Sequence, residues 1–310
     1  AGEQGGSWHV GSAQRGILRL PTLPRMPVSH LALALAVVAV WGTNFVVIKW
    51  GLAELPPFTL AALRFAVSAL PFMLFIRKPA VAWWRLAAFG VLLGAGQFGL
   101  LFLAMKSDIS PGLASLVVQS QVFFTIAFAG QRLRGLQFAA LGLAVAGMAW
   151  IGWHAAQGGH ELSLAGLGLV LAAAFCWAQA NAVARGAGRV DALGFMVWSS
   201  LFAVPPLLLL ALLFDGGPPA VFHAVGAASL GAWAVVAWQA VGNTLFGYGA
   251  WNWLLVRHSP GTITPMALLV PVFGMGASAL AFGEALPAWK LGAAALVMGG
   301  LGLNLLVSRR

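Results

Sequence analysis

The sequence predicts an all-α polytopic membrane protein: ten transmembrane helices arranged as two inverted five-helix repeats. Three observations carry this. The chain is 61% hydrophobic and only 8% charged, outside the composition of soluble globular domains. Apolar runs of about 20 residues, enough to cross ~30 Å of hydrocarbon as helix, recur along it. A stretch in the middle also returns near the end. Ser110-Pro111-Gly112 lies over Ser259-Pro260-Gly261, and Gly130-Gln131 over Gly283-Glu284. Each copy reads as a loop, an apolar helix, a short polar break and a second apolar helix, so the chain is two related halves.

Residues 1–29 form an N-terminal tail. Its first twenty-five residues lack the apolar run of a signal peptide and read as disordered or non-native, with Met26 a natural start. The first repeat, 30–153, holds apolar runs at 31–52, 56–77, 83–105, 111–130 and 133–153. The second, 164–308, holds runs at 164–186, 192–214, 228–255, 260–282 and 287–308. Five spans per half is an odd number. The second half therefore starts on the opposite side of the membrane, which inverts it relative to the first. Such repeats are typical of secondary transporters, whose sites lie near the midplane between the halves.

The charges fix the orientation. With the N- and C-termini cytoplasmic, thirteen of the 17 Lys and Arg fall on the cytoplasmic side, among them Arg77, Arg85, Arg132, Arg185, Arg189 and Arg257. The outer loops hold only Lys106 and Lys290, while Lys49 and Arg64 fall within spans. The net charge of +10 is thus a topology signal. The bilayer is the expected partner and nucleic acid is not. The expected location is a bacterial-type inner membrane.

Polar residues inside spans carry what chemistry there is, because an uncompensated polar group in hydrocarbon is costly. Counting helical rise from each span's start places the midplane near Trp41, Gln97, Ser120, Gln239 to Asn243, and Pro271. Asn44 lies a turn beyond the first of these, and Gln119 and Gln121 flank the fourth-span midplane. Gln239 and Asn243, at i and i+4, project from one face. Their alternatives are interhelical hydrogen bonding or a polar cavity, and as a set they point to a cavity bordered also by Trp41 and Trp238. Tyr248 and Trp251 also fall away from span ends, where they either pack as core or wall such a cavity. Arg64 is too deep to reach the interface and must meet an acceptor, whether helix-end carbonyls, an amide oxygen or a substrate carboxylate. Pro271 should kink the ninth helix, and Gly242 could bend or pack the eighth. Trp83, Trp84, Trp150, Trp153 and Trp289 fall at span ends as interfacial anchors.

Trp41-Gly42-Thr43-Asn44-Phe45-Val46-Val47-Ile48-Lys49 in the first span, Arg64-Phe65 in the second, and Pro271 followed by Gly283-Glu284 resemble EamA-type members of the drug/metabolite transporter superfamily. The resemblance runs over nearly the whole chain from about residue 30. It implies ten helices in inverted repeats, a central cavity, and export of small metabolites such as amino acids. It also favours a structural role for Arg64. One departure stands out: the first repeat carries Gln131 where the second carries Glu284.

Enzymatic signatures are missing: no HExxH, GxSxG or P-loop occurs, and Cys176 has no metal-ligand company. No catalytic residue, metal or cofactor is expected. An intramembrane enzyme, a channel, and an exporter of drugs or other metabolites are the competing classes. The seven carboxylates, Glu3, Glu54, Asp108, Glu161, Asp191, Asp215 and Glu284, all lie in the tail, loops or span ends. A cation/proton antiporter typically needs a buried midplane acid. Amides and indoles instead suit a neutral or zwitterionic solute, with neutral or aromatic amino acids foremost, exported by alternating access without proton exchange through a membrane carboxylate.

Overall fold

The computed structural model describes residues 26–128, 135–158, 161–188, 190–258 and 260–307. The expectations for the tail through Arg25, and for Gly130, Gln131, Arg132, Arg134, His160, Arg189, Ser259, Arg309 and Arg310, lie outside these residues. The first half supplies α1 (Val28–Glu54), α2 (Pro57–Leu74), α3 (Trp83–Ser107), α4 (Pro111–Ala127) and α5 (Leu136–Ala156). The second supplies α6 (Leu164–Gly186), α7 (Ala192–Phe214), α8 (Leu230–Arg257), α9 (Thr264–Phe282) and α10 (Ala288–Val307).

Among the described residues, eight of these helices are long and apolar enough to cross a membrane. The short helix Gly217–Ala227 and α8, meeting at a 96° bend, make a ninth span if taken together. Over the described residues α4, at Pro111–Ala127, falls below that length, so this measure does not confirm the expected count of ten. This helix begins only at Pro111, behind the capping hydroxyl of Ser110, and is interrupted by a 3-10 turn at Val118–Ser120.

Helix ends are closed by the residues the sequence places there. Ser163, Asp191 and Ser229 each accept backbone N–H bonds from the first turn of α6, α7 and α8. Such a cap contributes about 1 kcal/mol and removes donors that hydrocarbon would leave unpaired.

The packing repeats between the halves. α5 packs on α10 and α2 on α7, while α1 packs on α9 as α6 packs on α4. Likewise α3 meets α6 as α8 meets α1. Close approach is set by small residues. A Cβ on Gly42 would stand 2.5 Å from Phe273 Cβ and 2.6 Å from the Val270 carbonyl, so glycine here lets α1 touch α9. Both α3 and α8 widen into π-helix, at Leu92–Gly99 and Trp238–Phe246. Gly96-Gln97 and Gly242-Asn243 occupy these two stretches. π-turns are rare and gather at functional sites.

One end of the bundle is tied shut. Lys49 Nζ donates to the carbonyls of Met105 at 2.7 Å and Lys106 at 3.1 Å, and Lys106 Nζ donates to the Leu52 carbonyl at 2.5 Å. Each lysine thus caps the other's helix C-terminus, where cations are favoured.

Nearby, Lys290 corrects an expectation. The sequence places it in an outer loop, yet it stands in the first turn of α10 and is 0% exposed. Its ammonium donates to Glu161 at 2.6 Å, Glu284 at 2.9 Å and the Ala285 carbonyl at 2.7 Å. Partners on every side are what permit such burial. Glu284 is itself buried, accepting from Ser110 Oγ at 2.6 Å, Gly112 N at 3.1 Å and the Ser278 hydroxyl. Burial raises its carboxyl, but the hydrogen bonds from Ser110, Ser278 and Lys290, with the ammonium charge, prevail and hold it below the ordinary range.

Candidate functional site

A cavity of about 330 Å³ lies where the halves meet. Trp41, Asn44 and Ile48 enter it from α1, Gln97, Phe98 and Leu101 from α3, and Val118, Gln119 and Gln121 from α4. The second half adds Trp177 and Asn181 from α6, Asn243, Tyr248 and Trp251 from α8, and Thr264, Ala267 and Val270 from α9. Among the described residues, none that lines it is Asp, Glu, Lys, Arg or His.

The two π-helical stretches place Gln97 and Asn243 in equivalent parts of the wall. Trp41 joins the two halves across the cavity wall. Its indole donates to the Asn243 carbonyl at 3.3 Å, and its ring lies 5.5 Å from that of Tyr248 and 5.1 Å from that of Trp251. The indole sits directly on Gly247, where any Cβ would collide with its nitrogen. At the far side Asn181 Nδ2 donates to Gln121 Oε1 at 3.1 Å.

Burial is graded along the lining. Asn44, Gln97, Gln119 and Asn243 are buried, Gln121, Trp177, Asn181, Tyr248 and Trp251 half-buried, and Thr264 exposed. The more buried lining residues thus lie toward the interlocked lysines and the more exposed ones toward the end that carries Arg185 and Arg257.

Of the residues expected at the site, Trp41, Asn44, Gln97, Gln119, Gln121 and Asn243 line this one cavity. Gln239 stands behind the wall, fully buried, with its amide committed to Asn44. Trp238 does not border the cavity. It is 40% exposed and folds over Gly242 of its own helix, on the outer surface. The reason is angular: turning Gln239 inward to Asn44 leaves its neighbour roughly a quarter turn away. Gly242 is accordingly beneath that indole rather than at a hinge.

Pro271 also differs from expectation. It does not kink a continuous α-helix, because after a turn at Pro260–Ile263 the chain winds as 3-10 turns over Thr264–Leu269 and α-helical structure resumes at Val270. Pro271 is then in the first turn of that segment, where a missing N–H leaves no bond unmade. Trp177 and Asn181 escaped the sequence reading although they share one helix face at i and i+4, the same signal that marks Gln239 and Asn243.

Arg64 is 1% exposed. Its Nη2 donates to Thr244 Oγ1 at 3.1 Å, and its guanidinium carbon stands 3.6 Å from the centroid of the Phe98 ring. Lys49 is likewise accounted for by carbonyls and does not enter the cavity. Among the described residues no group of three His, Cys, Asp or Glu is placed to hold a metal ion.

Comparison with known proteins agrees with this architecture. A profile described as the EamA-like transporter family matches residues 28–153 and again 164–306, once for each half. A protein of Salmonella typhimurium named "Probable amino-acid metabolite efflux pump" is 38% identical over 280 residues, covering 88% of this chain and 93% of the relative. Its Escherichia coli namesake is similar to the same degree, 38% over 280 residues. A solved crystal structure, 21% identical, superposes with a TM-score of 0.58 over 91% of this chain and 99% of its own, which supports the fold. The chain belongs to the EamA-like transporter family and is a multi-pass membrane transporter, not an enzyme.

Proposed function

We propose that this protein exports small metabolites, neutral and aromatic amino acids foremost, from the cytoplasm across a bacterial-type inner membrane. The carrying observation is the cavity itself: amides and indoles contributed by both halves, without a charged residue among the described lining, and more exposed toward the end that carries Arg185 and Arg257. Its ~330 Å³ is at the small end of ligand pockets, the scale of one amino-acid-sized solute. The names of the relatives in Salmonella typhimurium and Escherichia coli favour the same substrate class.

In this reading residues 30–153 and 164–308 are inverted five-helix halves with both termini cytoplasmic, as the distribution of Lys and Arg implies. The more exposed end then faces the cytoplasm, the loading state of an exporter. Alternating access closes that mouth and releases the opposite end around the fixed midplane site. Asn44, Gln97, Gln119, Gln121 and Asn243 bind the polar groups of the substrate, and Trp41 with its aromatic neighbours receives the side chain. Transport runs down the solute gradient, since among the described residues no carboxylate lines the cavity to carry a proton.

Counterflow in proteoliposomes, with labelled aromatic amino acids, a nucleotide sugar and a cationic dye, tests this. Saturable amino-acid exchange that is indifferent to an imposed proton gradient is the expected result. Non-saturating flux, or exchange of the dye alone, would overturn it.

A further inference from the structure

A buried cation stands one aromatic ring behind the cavity wall. The guanidinium of Arg64 stacks on Phe98, whose ring also lines the cavity. Among the described residues no carboxylate pairs with it, and the ion pairs found there belong to Lys290. Thr244 engages Nη2, while Nε and Nη1 are buried with no protein acceptor. The Oε1 of Gln97, the lining residue next to Phe98 in sequence, is likewise buried without a donor. Evolution of a stable core would pair such a charge or remove it, because an uncompensated buried ion is strongly destabilising.

We infer that Arg64 sets the charge preference of the transport site, making the Gln97–Phe98 side of the cavity the subsite for the carboxylate of the substrate. This rests on the exporter reading and narrows it to solutes that carry a carboxylate. An arginine stays charged in a protein. Arg64 is buried, so its field reaches the Phe98 side of the cavity through protein rather than through water and falls on whatever ionic group enters. A carboxylate is drawn to that wall and an ammonium group is pushed away from it, toward amide oxygens elsewhere in the lining such as those of Asn181 and Gln121. Phe98 keeps the guanidinium from a permanent contact, so the attraction orients the ligand without trapping it.

Binding can be read without transport, through quenching of tryptophan fluorescence, because Trp41, Trp177 and Trp251 line the cavity. Two probes of similar size separate the charges: 3-phenylpropionate, which has only the carboxylate, and phenethylamine, which has only the amine. In the wild type the carboxylate should bind tighter by on the order of tenfold or more. Arg64→Lys should keep that order and Arg64→Gln should bring the ratio close to one. The ratio is taken within each preparation, so partial misfolding does not alter it. If Arg64→Gln does not fold, the wild-type order decides alone, and tighter binding of the amine overturns the inference. An unchanged preference in folded Arg64→Gln overturns it too. Carboxylate preference in a protein that exchanges no amino acid would instead count against the exporter reading alone.

Discussion

Asn44 and Gln239 clasp each other amide to amide. Gln239 Nε2 donates to Asn44 Oδ1 at 2.8 Å, and Asn44 Nδ2 returns a bond to Gln239 Oε1 at 3.3 Å, joining α1 to α8 across the two halves. Both side chains are buried. Replacing one by alanine orphans the other, at a cost of about 1–3 kcal/mol. Asn44→Ala and Gln239→Ala should each destabilise the protein in detergent, and the double variant should be hardly worse than either. The coupling expected is roughly 0.6–1.7 kcal/mol. Simple additivity in unfolding measurements would show that the pair does not act as a unit.

The Glu284 cluster predicts an acid-sensitive fold. Its carboxyl is held below the ordinary value of 4.5 in the folded state. A carboxylate held low stabilises the protein above its unfolded pKa, and that contribution is lost as pH falls through the folded value. The melting temperature should therefore drop as pH is lowered from about 5 toward 3. Glu284→Gln should flatten this part of the profile. At neutral pH the same substitution should cost about 3–5 kcal/mol, because it removes one partner of a buried pair. An acid slope as steep in Glu284→Gln as in the wild type would assign the sensitivity elsewhere.

Gly247 backs the Trp41 indole in the cavity wall. A methyl group at this position would occupy the space of the Trp41 indole nitrogen. Gly247→Ala should cost about 1–3 kcal/mol in overpacking or in displacement of the indole. Substrate affinity should fall roughly tenfold, equivalent to ~1.4 kcal/mol. Adding Trp41→Phe, whose smaller ring clears the methyl, should restore part of the affinity. Unaltered binding by Gly247→Ala alone would remove Trp41 from the site.

Orientation can be read by labelling. In a Cys176→Ala background, Ser107→Cys and Arg257→Cys should react with membrane-impermeant thiol reagents from opposite sides, with position 257 cytoplasmic. Labelling of both from one side would refute the inverted arrangement.

The sequence made much of this legible for physical reasons. Long apolar runs have few options in a bilayer, so helix positions follow from hydropathy. Amides at matching depth meet because hydrocarbon offers them nothing else, which is why Asn44, Gln97, Gln119 and Asn243 converge. Depth alone does not give azimuth, however. Trp238 and Gln239 lie at one level, and a partner on another helix decided which of them faces inward. Lys290 was hidden for a related reason: one of its carboxylates, on Glu161, is 129 residues away in sequence, and local hydropathy carries no trace of it. The 3-10 winding ahead of Pro271 depends on α9 leaning on neighbours, which no window of sequence reports.

The paired π-stretches also bear on ancestry. A π-turn amounts to an α-helix with one residue inserted, tolerated where the resulting bulge is useful. Leu92–Gly99 and Trp238–Phe246 carry that insertion at corresponding places, each with glycine followed by an amide. Two independent insertions at one register are a less economical history than a single one in a five-helix ancestor that was later duplicated. On that history the ancestor already owned half of the binding wall, and two copies in opposite orientations would have assembled the whole of it. The fused chain then freed each copy to diverge, Gln97 in one and Asn243 in the other, without losing the bulge that presents them.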